Sequence, residues 1–176
     1  VFGAEEAFLA KCETAAVFEK MCELDIEMRE HFRSYGQPID ENKSPGNVAR
    51  GLTTQADKSA GANQKSGRAP IRQAVIYGDL AEPRLGGVCF VQSPGNDEVS
   101  STAFAAAGAV VNIFTTGGGT SWGGCIPTIK LSSNKQLQEA KPGWIDFSTH
   151  GVLEDETTIE DVANELLELV IHICNG

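Results

Sequence analysis

The sequence has little that would place it in a membrane, on a nucleic acid or around a ready-made metal centre. No apolar run approaches the roughly 20 residues that a helix needs to cross a bilayer, so no spanning helix is expected. No secretory leader is visible, and a chain opening at Val1 rather than methionine reads as trimmed. Basic residues are scarce: 14 Lys and Arg stand against 24 Asp and Glu, a formal net charge of −10. Such a balance repels polyanions, so neither nucleic acid nor an anionic membrane is expected as a partner. There are three histidines, with no histidine pair and no His-x-x-Glu, so no metal ligand is assigned from the sequence. The five cysteines are odd in number and lack metal-type spacing, which fits a reducing, cytoplasmic compartment.

What is present is ordinary for a folded domain. Apolar residues make up 41 % and charged residues 22 % of the 176-residue chain, enough for one domain with a real core or one domain with an appendage. The acidity gathers in Glu5 to Glu30 and Glu154 to Glu168, which read as solvated helix faces. An acidic chain that binds an anionic small molecule must use local donors, and Lys58, Lys65, Arg68 and Lys130 are the candidates.

Residues 87–125 organise the rest. Val88 to Val91 is a short apolar run bounded by glycine and proline, the pattern of a buried strand. Ser93 to Asp97 is turn chemistry, and Asn96 or Asp97 can cap a helix beginning near Glu98. Ser101 to Ala107 continues as small-residue helix, and Val110 to Phe114 reads as a second buried strand. Together they predict a βαβ unit with both runs in one largely parallel sheet. Open α/β sheets bind ligands beyond the carboxyl ends of their strands. That edge would carry Ser93 and Asn96 on one loop and Thr115, Thr116, Gly117, Gly119 and Thr120 on the next. Successive glycine amides can turn inward as an oxyanion nest; the bland alternative is a flexible surface loop. Cys125 follows the tract, with no histidine near it in sequence to activate it.

Elsewhere, Val1 to Cys12 reads as a short helix or helical turn. Ala15 to Tyr35 is a clear amphipathic helix, with Thr14 as cap and Gly36 and Pro38 as stop. Gln37 to Gly51 is a polar connection without periodicity. Thr54 can cap a helix through Lys65, which sets Lys58 and Lys65 two turns apart on one face. That pair could grip a dianion or simply be solvated. Arg72 to Tyr77, Thr128 to Leu131 and Trp144 to Phe147 are further strands, with Lys130 expected near an edge. Asp146 is either a buried hydrogen-bonding carboxylate or an outward strand residue, and His150 follows in a loop. Thr158 to Cys174 is a second amphipathic helix, expected to cover one face of the sheet.

At Ser93 to Asp97 and at Phe114 to Thr120 the chain resembles the altronate dehydratase / galactarate dehydratase family. Gly51 to Thr54, Lys58 to Gly61, Lys65 to Gly67, Pro127 to Lys130, Asn134 and Lys141 to Phe147 extend the likeness in the same order, as does the opening Val1 to Glu5. It spans nearly the whole chain, but only the carboxyl-terminal portion of such proteins, and it looks nearest to the altronate branch. The family usually has arginine where this chain has Gly118, which removes a natural carboxylate clamp. The resemblance implies a Rossmann-like α/β fold, with residues 1–70 as a helical and loop segment and 71–176 as the α/β carboxyl-terminal domain; it also tilts Asp146 toward the buried role. It implies a hydro-lyase that removes water from a sugar acid, altronate going to a 2-keto-3-deoxy acid. Lys58 and Lys65 would be catalytic, and Ser93, Asn96, Thr115, Thr116, Gly117, Gly119, Thr120 and Lys130 substrate-binding. A divalent cation (Fe²⁺, Mn²⁺ or Mg²⁺) is implied for the intact enzyme. The partners implied are the sugar acid and the missing amino-terminal domains, with room for a homo-oligomer. Two other readings stay open: a non-catalytic anion-binding or assembly module, and a related lyase of the galactarate dehydratase or sulfolactate sulfo-lyase type.

Overall fold

The computed structural model describes residues 1, 3–37, 39, 45–49 and 51–176, without the side chain of Asn47. Much of the predicted 37–51 connection, and the stop at Pro38, lie outside the described residues. Two units cluster separately, Val1–Gly108 and Ala109–Gly176. The chain is α/β, with parallel strands, flanking helices and a helical amino-terminal segment.

In the first unit, helix α1 (Glu5–Leu9) leads into α2 (Ala15–Ser34), whose Thr14 cap accepts from the Val17 N–H at 3.3 Å. Met21 and Leu24, one turn apart on its inner face, are fully buried. After α3 (Pro45–Ala49), helix α4 (Gln55–Gln64) starts in a reciprocal cap between Thr54 and Asp57. Strands β1 (Ile71–Val75) and β2 (Val88–Val91) then pair in parallel, Ile71 opposite Val88 and Val75 opposite Val91. Their crossover has no α-helix, only a 3₁₀ turn at Pro83–Leu85. It is pinned by Gln73, which accepts from the Glu82 N–H (2.7 Å) and donates to the Glu82 carbonyl (2.9 Å). Residue 71, where the α/β domain was expected to begin, lies inside this unit, because Ile71 packs in one core with Phe8 and Met21. Helix α5 (Asp97–Ala106) closes the unit.

The second unit holds β3 (Asn112–Thr115), β4 (Thr128–Ser132) and β5 (Phe147–Ser148), parallel in the order β3-β4-β5. Between β4 and β5 lie α6 (Lys135–Ala140) and a 3₁₀ turn at Pro142–Trp144. Helices α7 (His150–Leu153) and α8 (Ile159–Asn175) follow. Ile129 and Ile145 are the buried apolar side chains here, against Phe8, Met21, Leu24, Ile71, Ala103 and Ala107 in the first unit.

Three expectations are corrected. The Val88 and Val110 runs do not share a sheet: the βαβ unit of this chain is β4-α6-β5. Gly108 turns the chain at φ +99° and Val110 is 73 % exposed, so the second run starts its strand only at Asn112 and pairs with β4 instead. Lys130 stands in the central strand, not at an edge. Helix α8 buries no residue of its own. Its Val162 and Leu166 instead border a groove with Val152 and Leu153 of α7.

Candidate functional site

The first unit has a cavity of about 260 Å³ where β2 ends. Leu24, Met28, Phe32 and Phe90 form its apolar wall, and Gln55, Lys58, Ser59, Gln92, Ser93 and Gly95 bring its polar groups. Gln55, Lys58 and Ser59 reach it together because they fall on one face of α4, three and four residues apart. Gln55 Oε1 is buried and meets no donor among the described residues. A carbonyl oxygen stripped of water without a partner is costly, so this one is suited to a hydroxyl brought by a guest. Asp25 also borders the space, but its carboxylate is held by the Arg29 guanidinium, Nε at 2.8 Å.

The loop after β2 is built from its own hydrogen bonds. Asn96 Oδ1 accepts from the Glu98 and Val99 amides at 3.1 and 3.2 Å, capping α5. Ser93 donates to Ser100 Oγ at 3.0 Å, and Ser100 donates to the Pro94 carbonyl at 2.6 Å. Asn96 is therefore a cap first. Lys65 lies on the exposed end of α4 and is not among the residues bordering the cavity. A second, larger cleft of about 640 Å³ is lined by His31, Phe32, Tyr35, Tyr77 and Pro94; it offers an apolar guest more than a polar one.

The glycine tract belongs to the second unit, at the carboxyl end of β3, so no common sheet joins it to Ser93 and Asn96. The Thr116 N–H extends the ladder to the Leu131 carbonyl, and its hydroxyl accepts from the Gly119 N–H at 2.9 Å. Thr120 Oγ1 accepts from the Trp122 N–H at 3.1 Å. One of the nest's expected amides is thus spent inside the loop. The amides of Gly117, Gly118 and Thr120 donate to no group among the described residues. Gly119 must be glycine: its φ is +75°, and a Cβ would lie 3.0 Å from Leu137 and 3.1 Å from Trp144. Asp146 accepts from the Lys130 N–H at 2.8 Å, so its carboxylate does bond the backbone, but the residue is exposed rather than buried. With only two residues in β5, no further strand packs over it.

Sequence reasoning missed two groups. Gln55 and Ser59 were legible as helical neighbours of Lys58. His150, Glu154 and Glu156 each offer one ligand atom within 4.8 Å of the others. The first two are one helical turn apart in sequence, which is the signal that could have found them. Lys135 Nζ bonds Glu154 at 2.7 Å, which holds the Glu154 carboxyl below its usual range and the lysine above its own. The cysteines add no nucleophile to the cavity. Burial raises the Cys12, Cys22 and Cys89 thiols, so little thiolate forms at neutral pH.

Comparison with known proteins covers the whole chain. The family described as "D-galactarate/Altronate dehydratase, C-terminal" matches residues 1–176. An altronate dehydratase of Bacillus subtilis (strain 168) is 39 % identical over all of this chain, which spans 35 % of that protein. An altronate dehydratase of Escherichia coli (strain K12) is 37 % identical, again over 100 % of this chain and 35 % of its own length. A galactarate dehydratase (L-threo-forming) of the same strain is 31 % identical over 77 % of this chain and 26 % of its own. The chain therefore spans about a third of the length of the altronate dehydratases it matches.

Proposed function

The chain belongs to the D-galactarate/altronate dehydratase family, as a carboxyl-terminal portion, and from that premise we propose that it supplies substrate-binding groups to a sugar-acid dehydratase acting on altronate. What supports this reading is the first unit's cavity. A lysine, a buried oxygen acceptor without a donor and two serines border one space there. A polyhydroxy acid brings the complement of each: a carboxylate for Lys58, a hydroxyl proton for Gln55 Oε1, and oxygens for Ser59 and Ser93.

The reaction removes the C2 proton beside the carboxylate and expels the C3 hydroxyl as water; the enol formed tautomerises to the 2-keto-3-deoxy acid. Charge builds on the carboxylate as an enediolate, so a fixed ammonium there stabilises the transition state more than the ground state. Lys58 takes that role; Lys65, outside the cavity, does not share it. Ser93 positions the substrate, and Asn96 shapes its loop through the cap. The amides of Gly117, Gly118 and Thr120, with the Thr116 hydroxyl, form a second anion-binding element in the other unit. Lys130 stands opposite Phe114 and Thr115 opposite Leu131, so those two side chains face opposite sides of the sheet and do not both join it. A divalent cation, when bound, supplies Lewis-acid stabilisation of such an enediolate; the imidazole and two carboxylates of His150, Glu154 and Glu156 are a donor set that fits one. The working form is a cytoplasmic, metal-dependent lyase with a Rossmann-like carboxyl-terminal portion and polypeptide beyond these residues.

Calorimetric titration of D-altronate and of galactarate into the purified chain tests the reading. Altronate should bind, and Lys58→Met should weaken it at least tenfold while Lys65→Met leaves it unchanged. Equal affinity for wild type and Lys58→Met overturns the assignment, and tighter binding of galactarate moves the substrate to that branch.

A further inference from the structure

The larger cleft of the first unit has no lysine or arginine among its described lining residues. Its volume of about 640 Å³ is that of a small-molecule site, and it lies where both parallel strands end. Tyr77 follows β1, and Gln92 and Pro94 follow β2, the edge at which open α/β sheets receive ligands. We propose that this cleft binds an organic ammonium ion, a cationic nitrogen carried on an apolar body.

Helical spacing builds one wall. Glu27, His31 and Tyr35 recur every fourth residue along α2 and its cap, with Met28 and Phe32 beside them, so one face of the helix presents all five. His31 meets Phe32 and Tyr35 edge to face, with ring centroids 6.2 and 5.2 Å apart, so the three rings hold one another's orientation. Tyr35 and Tyr77 remain exposed, which leaves aromatic surface open to a guest.

The polar groups set the sign of that guest. With histidine neutral, Glu27 brings the one charge among the described lining residues, and no cation among the described residues pairs with it. Its Oε2 accepts from Gln92 Nε2 at 3.3 Å. That glutamine is more than nine-tenths buried; its Nε2 also donates to the Leu24 carbonyl at 2.9 Å, and its Oε1 accepts from the Tyr77 N–H at 3.4 Å. One buried amide thus fixes the carboxylate and the backbone of a ring residue together, before any guest arrives. An aromatic face carries negative potential, so a cation within about 6 Å of a ring centroid is attracted to it. Carboxylate, rings and a net charge of −10 all act in the same direction. A sugar acid is repelled here, which separates this cleft from the Lys58 cavity even though Met28, Phe32 and Gln92 border both.

Calorimetric titration of phenethylammonium into the purified chain, with neutral phenethyl alcohol as control, tests the cleft without reference to turnover or to altronate. Saturable binding of the cation is expected, roughly tenfold tighter than that of the alcohol. The near-isosteric Glu27→Gln should remove most of that preference, and Tyr77→Leu should weaken the cation several-fold, with circular dichroism unchanged in both. In the wild type, ring protons of Tyr35 and Tyr77 should shift first in NMR spectra. No binding, equal binding of cation and alcohol, or a cation affinity that either variant leaves unchanged overturns the site.

Discussion

Asn134 donates from Nδ2 to the Gly117 carbonyl at 2.9 Å, so the residue after β4 holds the loop after β3. Its Oδ1 accepts from the Leu137 N–H at 3.1 Å, capping α6, and its own N–H donates to Ser132 Oγ at 3.1 Å. One amide side chain thus fixes both the start of a helix and the position of the glycine tract.

Replacing it separates those roles. Asn134→Ala should cost about 1 kcal/mol of stability through the lost cap and should also speed hydrogen exchange at the Gly119 amide. Asn134→Ser retains a cap but cannot reach Gly117, so it should restore most of the stability and leave the exchange fast. Denaturation curves with amide exchange by NMR decide it; slow exchange in both variants would mean that the tract holds itself.

Gly119→Val should destabilise the second unit by more than about 1 kcal/mol, because a β-branched residue resists positive φ and its methyls would meet Leu137 and Trp144. Gly123→Ala is the control, since nothing lies within 4 Å of its Cβ position and its φ is ordinary. Equal melting temperatures for the two variants would show that the tract tolerates a side chain.

Gln55→Leu should move stability and binding in opposite directions. Removing a buried oxygen that has no donor is neutral or stabilising, by up to roughly 1 kcal/mol, whereas altronate loses a partner and should bind less tightly. A variant less stable than wild type, with unchanged affinity, would mean that Gln55 serves the fold alone.

The Lys135–Glu154 pair gives a pH signature. Glu154 has a lowered carboxyl pKa, first through the hydrogen bond from Lys135, so its contribution is present above the ordinary carboxylate range and fades as pH falls through the lowered value. Lys135 is raised by the same bond, so at the alkaline end the contribution is lost as pH rises through that raised value. Carbon-detected NMR should place the Glu154 midpoint below the model-peptide 4.5 and show it rising in Lys135→Met. A midpoint that ignores Lys135→Met would show that the pair is broken in solution.

Much of this was legible in the sequence. The Thr14 and Thr54 caps stand where turn chemistry put them, Asn96 is the one of two candidates that caps α5, and α2 and α8 follow their apolar spacing. Strand partners were not legible, because an apolar run says that it is buried and not beside what. The Val88 run pairs backward with β1 and the Asn112 run forward with β4. The loss of the Gly119 amide to Thr116, and the return of Glu156 through a left-handed Asp155, are three-dimensional facts that composition does not encode. Among the expected site residues, the cavity borders Lys58 and Ser93, because helix periodicity and the end of β2 bring both to it.

The thin core of the second unit sets where the chain breathes. With Ile129 and Ile145 as its buried apolar side chains, amides of β3 to β5 open to solvent at lower free energy than those around Met21 and Leu24. Opening there would release the glycine tract from the Asn134 side chain that holds it. An anion held by the tract would therefore add its own binding free energy to the weaker half, by mass action, and slow the exchange of a whole sheet rather than of the loop that touches it.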